Sequence, residues 1–147
     1  VRPALQSIVD EFADYERELR LELLLDYANG LPALPERFAA ADRAALERVQ
    51  ECQTPLFVAV EVVEPGGEGG GTVHLYFDAP PEAPTTRGYA AVLHAGLDGA
   101  TVEELLGTPG DFYVQMKLAE LISPLRLRGM SALLGMIKRR VSAATAV

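Results

Sequence analysis

Cys52 is the only cysteine in the chain, and thiolate chemistry has no other place to happen. It sits in Glu51-Cys52-Gln53-Thr54-Pro55, among polar neighbours, just before a predicted strand. A cysteine at such a junction is either a small filler of the core or a nucleophile. Glu51 opposes thiolate formation by like charge. A Cys–His hydrolase would need an imidazole brought to the sulfur by the fold, and only His74 and His94 are available. A second place of interest is Ser123-Pro124-Leu125-Arg126-Leu127-Arg128-Gly129-Met130. Arg126 and Arg128 fall in the first turns of a predicted helix, where the dipole disfavours cations. Helix N–H groups and a guanidinium together suit an anion such as a thiolate, a persulfide or a partner carboxylate. The plainer alternative is a solvated pair of arginines in an acidic protein.

Other chemistries find no support. One cysteine rules out an internal disulfide, a CxxC redox pair and any thiolate cage for zinc or an iron–sulfur cluster. The run Gly66 to Gly71 lies between two strands with no Lys-Ser/Thr after it, so it reads as a hairpin loop rather than a phosphate cradle. HExxH, EF-hand and dinucleotide fingerprints are missing, and neither histidine has ligands at metal-like spacing. No metal and no cofactor are expected. Asp10, Glu11, Asp14, Glu16 and Glu18 read as the wet face of a helix rather than an acid–base pair.

Thirteen basic against 21 acidic residues leave a net charge of −8. Phosphate binding needs clustered cations, so nucleic acid is an unsuitable partner, as is an anionic membrane surface. No stretch approaches the ~20 apolar residues of a membrane span, and no targeting signal opens the chain. A cytoplasmic protein is expected, with a leader removed before position 1 left open. A length of 147 residues, 49% of them apolar, suits a single domain over 1–147.

The elements that must position Cys52 and Arg126 follow from periodicity. Leu5, Ile8, Phe12, Tyr15, Leu19, Leu23 and Tyr27 recur at three- and four-residue steps, predicting one helix from about Ala4 to Asn29, stopped by Gly30 and Pro32. A short helix is expected near Ala40 to Arg48. The period becomes two over Pro55–Val63 and Thr72–Asp78, a hairpin around a flexible glycine loop. The first of these strands is apolar on both faces and should be interior or helix-covered. Helices are then expected from Thr86 to Gly96 or Gly99, from the capping box Thr101-Val102-Glu103-Glu104 to Gly107, from about Gly110 through Phe112, Met116 and Leu118, and from Ser123-Pro124 through Val141. Lys138, Arg139 and Arg140 are read as complementing the last dipole. The order gives an α+β domain with a small antiparallel sheet packed with several helices.

Taken together, these segments resemble the SufE family of sulfur acceptors. Glu51-Cys52-Gln53-Thr54 followed by Leu56-Phe57-Val58 is similar to the family's Gly-Cys-Gln-Ser loop and hydrophobic strand. Asn29-Gly30-Leu31-Pro32, Arg87-Gly88 with Ala90-Ala91-Val92, and Thr101-Val102-Glu103-Glu104-Leu105 match in order. Ser123-Pro124, Arg126 and Gly129-Met130 fit its Ser-Pro-x-Arg-x-x-Gly-Leu signature. Three positions depart from the pattern. Glu51 replaces a glycine, Leu121 stands where many members carry histidine, and the loop at Gly66–Gly71 is longer.

The resemblance implies a SufE/IscU-like fold and a persulfide carrier. A PLP-dependent cysteine desulfurase (SufS/CsdA-like) would hand sulfur to Cys52, which relays it to iron–sulfur scaffold proteins. Gln53 and Arg126 would support the loop or the partner. The pyridoxal phosphate belongs to the desulfurase. A solitary cysteine suits a carrier, because a second thiol could discharge the persulfide as a disulfide. The alternative is a regulator that binds a desulfurase or scaffold without accepting sulfur.

Overall fold

The computed structural model describes residues 2–39, 46–49 and 55–145. Within them, helices α1 (Pro3–Asp14), α2 (Arg17–Asn29), α3 (Pro84–Leu97), α4 (Val102–Leu106) and α5 (Pro124–Thr145) surround a small antiparallel sheet. Its strands β1 (Glu47–Arg48), β2 (Phe57–Val63) and β3 (Thr72–Asp78) lie in the order β1-β2-β3. The architecture is α+β, as the sequence order implied.

The long N-terminal helix of the sequence reading is in fact two. Tyr15 and Glu16 are extended, with ψ of 148° and 153°, and separate α1 from α2. Leu5, Ile8, Val9 and Phe12 form the buried face of α1, while α2 buries Arg20, Leu23, Leu24 and Ala28. The re-aimed chain leaves Tyr15 and Leu19 exposed, although periodicity placed them inward. Arg20 supplies the physical reason. Its side chain is buried and its Nε donates to the Phe12 carbonyl at 3.1 Å, satisfying an orphan acceptor at the end of α1.

Helix α3 is the central helix, buried around most of its circumference from Gly88 to Leu97. Gly88 and Gly96 explain how two helices approach it. A Cβ at Gly88 would lie 2.5 Å from the Leu24 carbonyl oxygen, and one at Gly96 would lie 2.7 Å from Leu5 Cδ1. Gly96 is therefore a packing residue inside the helix, not its terminator, and Asp98 caps the end.

Strand β2 is the central strand, and its second face is only partly covered, with Ala59 buried, Phe57 half-buried and Val63 exposed. Val58 opposes Phe77, Val60 opposes Leu75 and Val62 opposes Val73 on the core side. Helix α5 covers this side of the sheet. Glu47 and Arg48 pair with Val58 and Phe57, so the described end of the expected helix at 40–48 is a strand. Its earlier part lies outside the described residues. The pairing partner, distant in sequence pattern, decides these two residues.

The glycine loop is closed by backbone hydrogen bonds. Gly66 N–H donates to the Gly70 carbonyl, Gly67 N–H to Glu64 and Gly70 N–H to Gly67. Gly69, at φ +66°, sits so close to Thr101 that a Cβ would lie 2.7 Å from the threonine Cβ. The free edge of β3 is met by the chain after α3. Val73 N–H donates to the Ala100 carbonyl at 2.8 Å, Gly99 N–H to Val73 at 2.7 Å, and Leu75 N–H to Asp98 Oδ1 at 2.8 Å.

Two further expectations change. The helix predicted from Gly110 is a pair of 3₁₀ turns, Phe112–Met116 and Leu118–Glu120, separated by left-handed Lys117 at φ 59°. Met116 and Leu118, two residues apart, would face opposite sides of one helix, and the break buries both. Helix α5 runs past its basic cluster to Thr145. Lys138 instead donates to the Thr108 carbonyl, and Arg140 pairs with Glu47 of β1 at 3.4 Å.

Candidate functional site

Cys52 and Gln53 lie outside the described residues. Val49 and Leu56 bracket them. Val49 N–H donates to the Leu56 carbonyl at 2.8 Å, and both side chains are buried. The connection that carries Cys52 thus leaves and re-enters the sheet at one hydrogen-bonded pair.

Arg126 is exposed on the first turn of α5. Its backbone N–H donates to Ser123 Oγ at 3.3 Å, so Ser123 caps the helix as the Ser-Pro pair implied. Along α5, Arg126 precedes Arg140, the residue paired to β1, by about 21 Å of helix rise. The described contacts do not join Arg126 to the ends of the Cys52 connection.

The two histidines are brought to a carboxylate. His74 Nδ1 lies 3.5 Å from Asp98 Oδ1, and His94 Nε2 lies 3.9 Å from Asp98 Oδ2. Asp98 also accepts from Leu75 N–H, which ties the end of α3 to β3. Periodicity could not reveal this grouping, because it joins a strand, a helix and a cap. The imidazole–thiol contact required of a Cys–His hydrolase involves a residue outside the described set.

On the same face of the hairpin, Arg37 donates through Nη1 to Glu61 Oε2 at 2.8 Å and through Nη2 to Glu61 Oε1. The bidentate Arg37 pair holds the Glu61 carboxyl below its usual range, against a smaller opposing effect of burial. Burial, then the Glu61 carboxylate, pushes the Tyr76 phenol upward. The Arg37 guanidinium also lies over the Phe38 ring at 4.5 Å and the Tyr76 ring at 5.2 Å. The sequence reading missed Arg37 and Asp98. The outward position of Glu61 in an alternating strand was its only signal.

Among the described residues, no three or more His, Cys, Asp or Glu side chains are arranged to hold a metal ion. Nor is any described helix long and apolar enough to cross a membrane.

Comparison with known proteins gives this arrangement its context. Residues 6–141 match the SufE model, described as an Fe-S metabolism associated domain. An uncharacterized SufE-like protein of Mycobacterium tuberculosis is 50% identical over 137 residues, covering 93% of this chain and 90% of that protein. The SufE-like protein 1 of Arabidopsis thaliana, described as chloroplastic/mitochondrial, is 27% identical over 139 residues, or 94% of this chain and 34% of the plant protein. The solution structure of a hypothetical protein from Thermus thermophilus superposes with a TM-score of 0.82 at 40% identity, covering 98% of this chain and 97% of the other. The fold, the order of motifs and these similarities agree on a role in iron–sulfur metabolism, and the chain belongs to the SufE family.

Proposed function

We propose that the protein is a cytoplasmic, single-domain sulfur carrier that accepts a persulfide on Cys52 from a PLP-dependent cysteine desulfurase. Sulfur then passes to an iron–sulfur scaffold protein. The observation that carries the reading is that the chain's sole thiol falls in the connection closed by Val49 and Leu56, within a SufE-family chain.

In the transfer step, the Cys52 thiolate attacks the terminal sulfur of the desulfurase persulfide. The new bond joins Cys52 Sγ to that sulfur, the old S–S bond breaks, and its electron pair leaves on the desulfurase cysteine as a thiolate. The terminal sulfur keeps its proton, and no oxidant or reductant is consumed. Gln53 and Arg126 act as supporting residues, holding the connection or the partner; an exposed guanidinium on a helix's first turn is suited to a thiolate, a persulfide or a carboxylate.

The test is L-cysteine-dependent sulfide production by the cognate desulfurase with wild-type protein and with Cys52→Ser. Stimulation by the wild type alone, with intact mass showing one added sulfur atom on Cys52, is the expected result. Equal stimulation by both would refute the relay. Retained desulfurase binding without any persulfide on Cys52 would leave a binding-only regulator.

A further inference from the structure

Two concavities of the described surface meet at His94. One, of about 380 Å³, opens between α2 and α3 and is bordered by Glu11, Asp26 and Tyr27. The other, of about 180 Å³, lies beneath the segment 31–35 against β3, with Leu34 and Phe77 in its walls. His94 borders both, and the lining passes from Gly30 in the first to Leu31 in the second. They are adjoining reaches of one groove.

The reaches differ in chemistry. In the first, Tyr27 donates its hydroxyl to Glu11 Oε1 at 2.9 Å, so the phenol's one proton is committed. Burial, then the Glu11 carboxylate, pushes the Tyr27 phenol well above its usual range, which keeps it neutral. The other polar side chains bordering this reach are the Glu11 and Asp26 carboxylates and His94, with Leu23 and Ala91 forming an apolar floor. The second reach is walled by prolines, leucines and the Phe77 and Tyr76 rings.

We propose that this groove docks a segment of a partner protein in which a lysine or arginine lies a few residues from an apolar side chain. The cation occupies the reach bordered by Glu11 and Asp26, and the apolar side chain occupies the reach beneath Leu34. Charge selects this occupant. An acidic segment would set its carboxylates against those of Glu11 and Asp26, so the lining favours a cationic occupant. The inference does not depend on Cys52 and holds whether or not sulfur is carried.

The test is ¹⁵N NMR of the full chain titrated with acetyl-Arg-Ala-Pro-Leu-amide, with acetyl-Glu-Ala-Pro-Leu-amide and with argininamide alone. Saturable shifts of the Tyr27, Gly30, Leu34 and His94 amides by the arginine peptide alone are expected. Asp26→Asn, at an exposed position, should weaken that binding severalfold, and Glu11→Gln with Asp26→Asn about tenfold, with the remaining spectrum unmoved. Absence of saturable shifts at these amides, or equal shifts with the glutamate peptide, would overturn the proposal. Argininamide binding as tightly as the peptide would also overturn it, by reassigning the groove to a small cation. If the double variant fails to fold, Asp26→Asn decides: unchanged peptide affinity in that variant counts against the groove.

Discussion

Arg20 Nε donates to the Phe12 carbonyl at 3.1 Å, reaching eight residues back across the break between α1 and α2. A buried cation thus terminates one helix from within the next. Replacing it with methionine keeps the length of the side chain and removes the donors. A loss of about 2 kcal/mol is expected, the scale of a buried hydrogen bond from a charged group. Urea denaturation measures it, and a loss below about 0.5 kcal/mol would show that packing alone sets the break.

Gly88 and Gly135 give opposite expectations for the same substitution. Alanine at Gly88 would drive a Cβ into the Leu24 backbone and should destabilise the protein by about 3 kcal/mol or more. Alanine at Gly135, within α5, meets only the Arg139 guanidinium at 3.6 Å and should stabilise by up to about 1 kcal/mol. Thermal melts of the two variants, each against wild type, check both signs.

The capping box at Thr101 sets a pH dependence. Glu104 Oε1 accepts from Thr101 N–H at 2.9 Å, and Thr101 Oγ1 accepts from Glu104 N–H at 3.1 Å. The backbone hydrogen bond from Thr101 holds the Glu104 carboxyl below its ordinary 4.5. A depressed folded-state pKa gives stability that is present above the unfolded value and lost as pH falls through the folded one. The stability gap between wild type and Glu104→Gln should therefore be present at pH 7 and close as acid is added below 4.5. Melts across that range at constant ionic strength test the window.

Arg126 separates function from stability. Because its side chain is exposed, Arg126→Ala should leave stability within about 0.5 kcal/mol of wild type. If it supports the desulfurase contact, stimulation of sulfide release should fall about tenfold, the cost of losing one charge-assisted contact. Lysine at the position should recover only part of it. Full stimulation by Arg126→Ala would remove this residue from the site.

What could be seen in the sequence was what is decided locally. The Thr101 capping box, the Ser123-Pro124 helix start and the alternating strands β2 and β3 all depend on near neighbours, and all stand where expected. The break after α1 was invisible because its cause, Arg20, lies in the next helix and looks like any surface cation in an amphipathic pattern. Strand β1 escaped notice because Glu47 and Arg48 carry no strand signal of their own. For the site, the cysteine count and the order of motifs pointed to Cys52 and Arg126. The convergence of His74, His94 and Asp98 depends on how α3 meets β3, which no spacing records.

The chain after α3 has an effect beyond holding the helix to the sheet. With the outward N–H of Val73 given to Ala100 and that of Leu75 given to Asp98, this side of β3 has no donor at either position for a strand from another molecule. Strand addition at these two positions is opposed by a backbone carbonyl at one and by the Asp98 carboxylate at the other. A mutation that frees residues 99–102 from β3 should therefore first appear as concentration-dependent aggregation, before any loss of helix content.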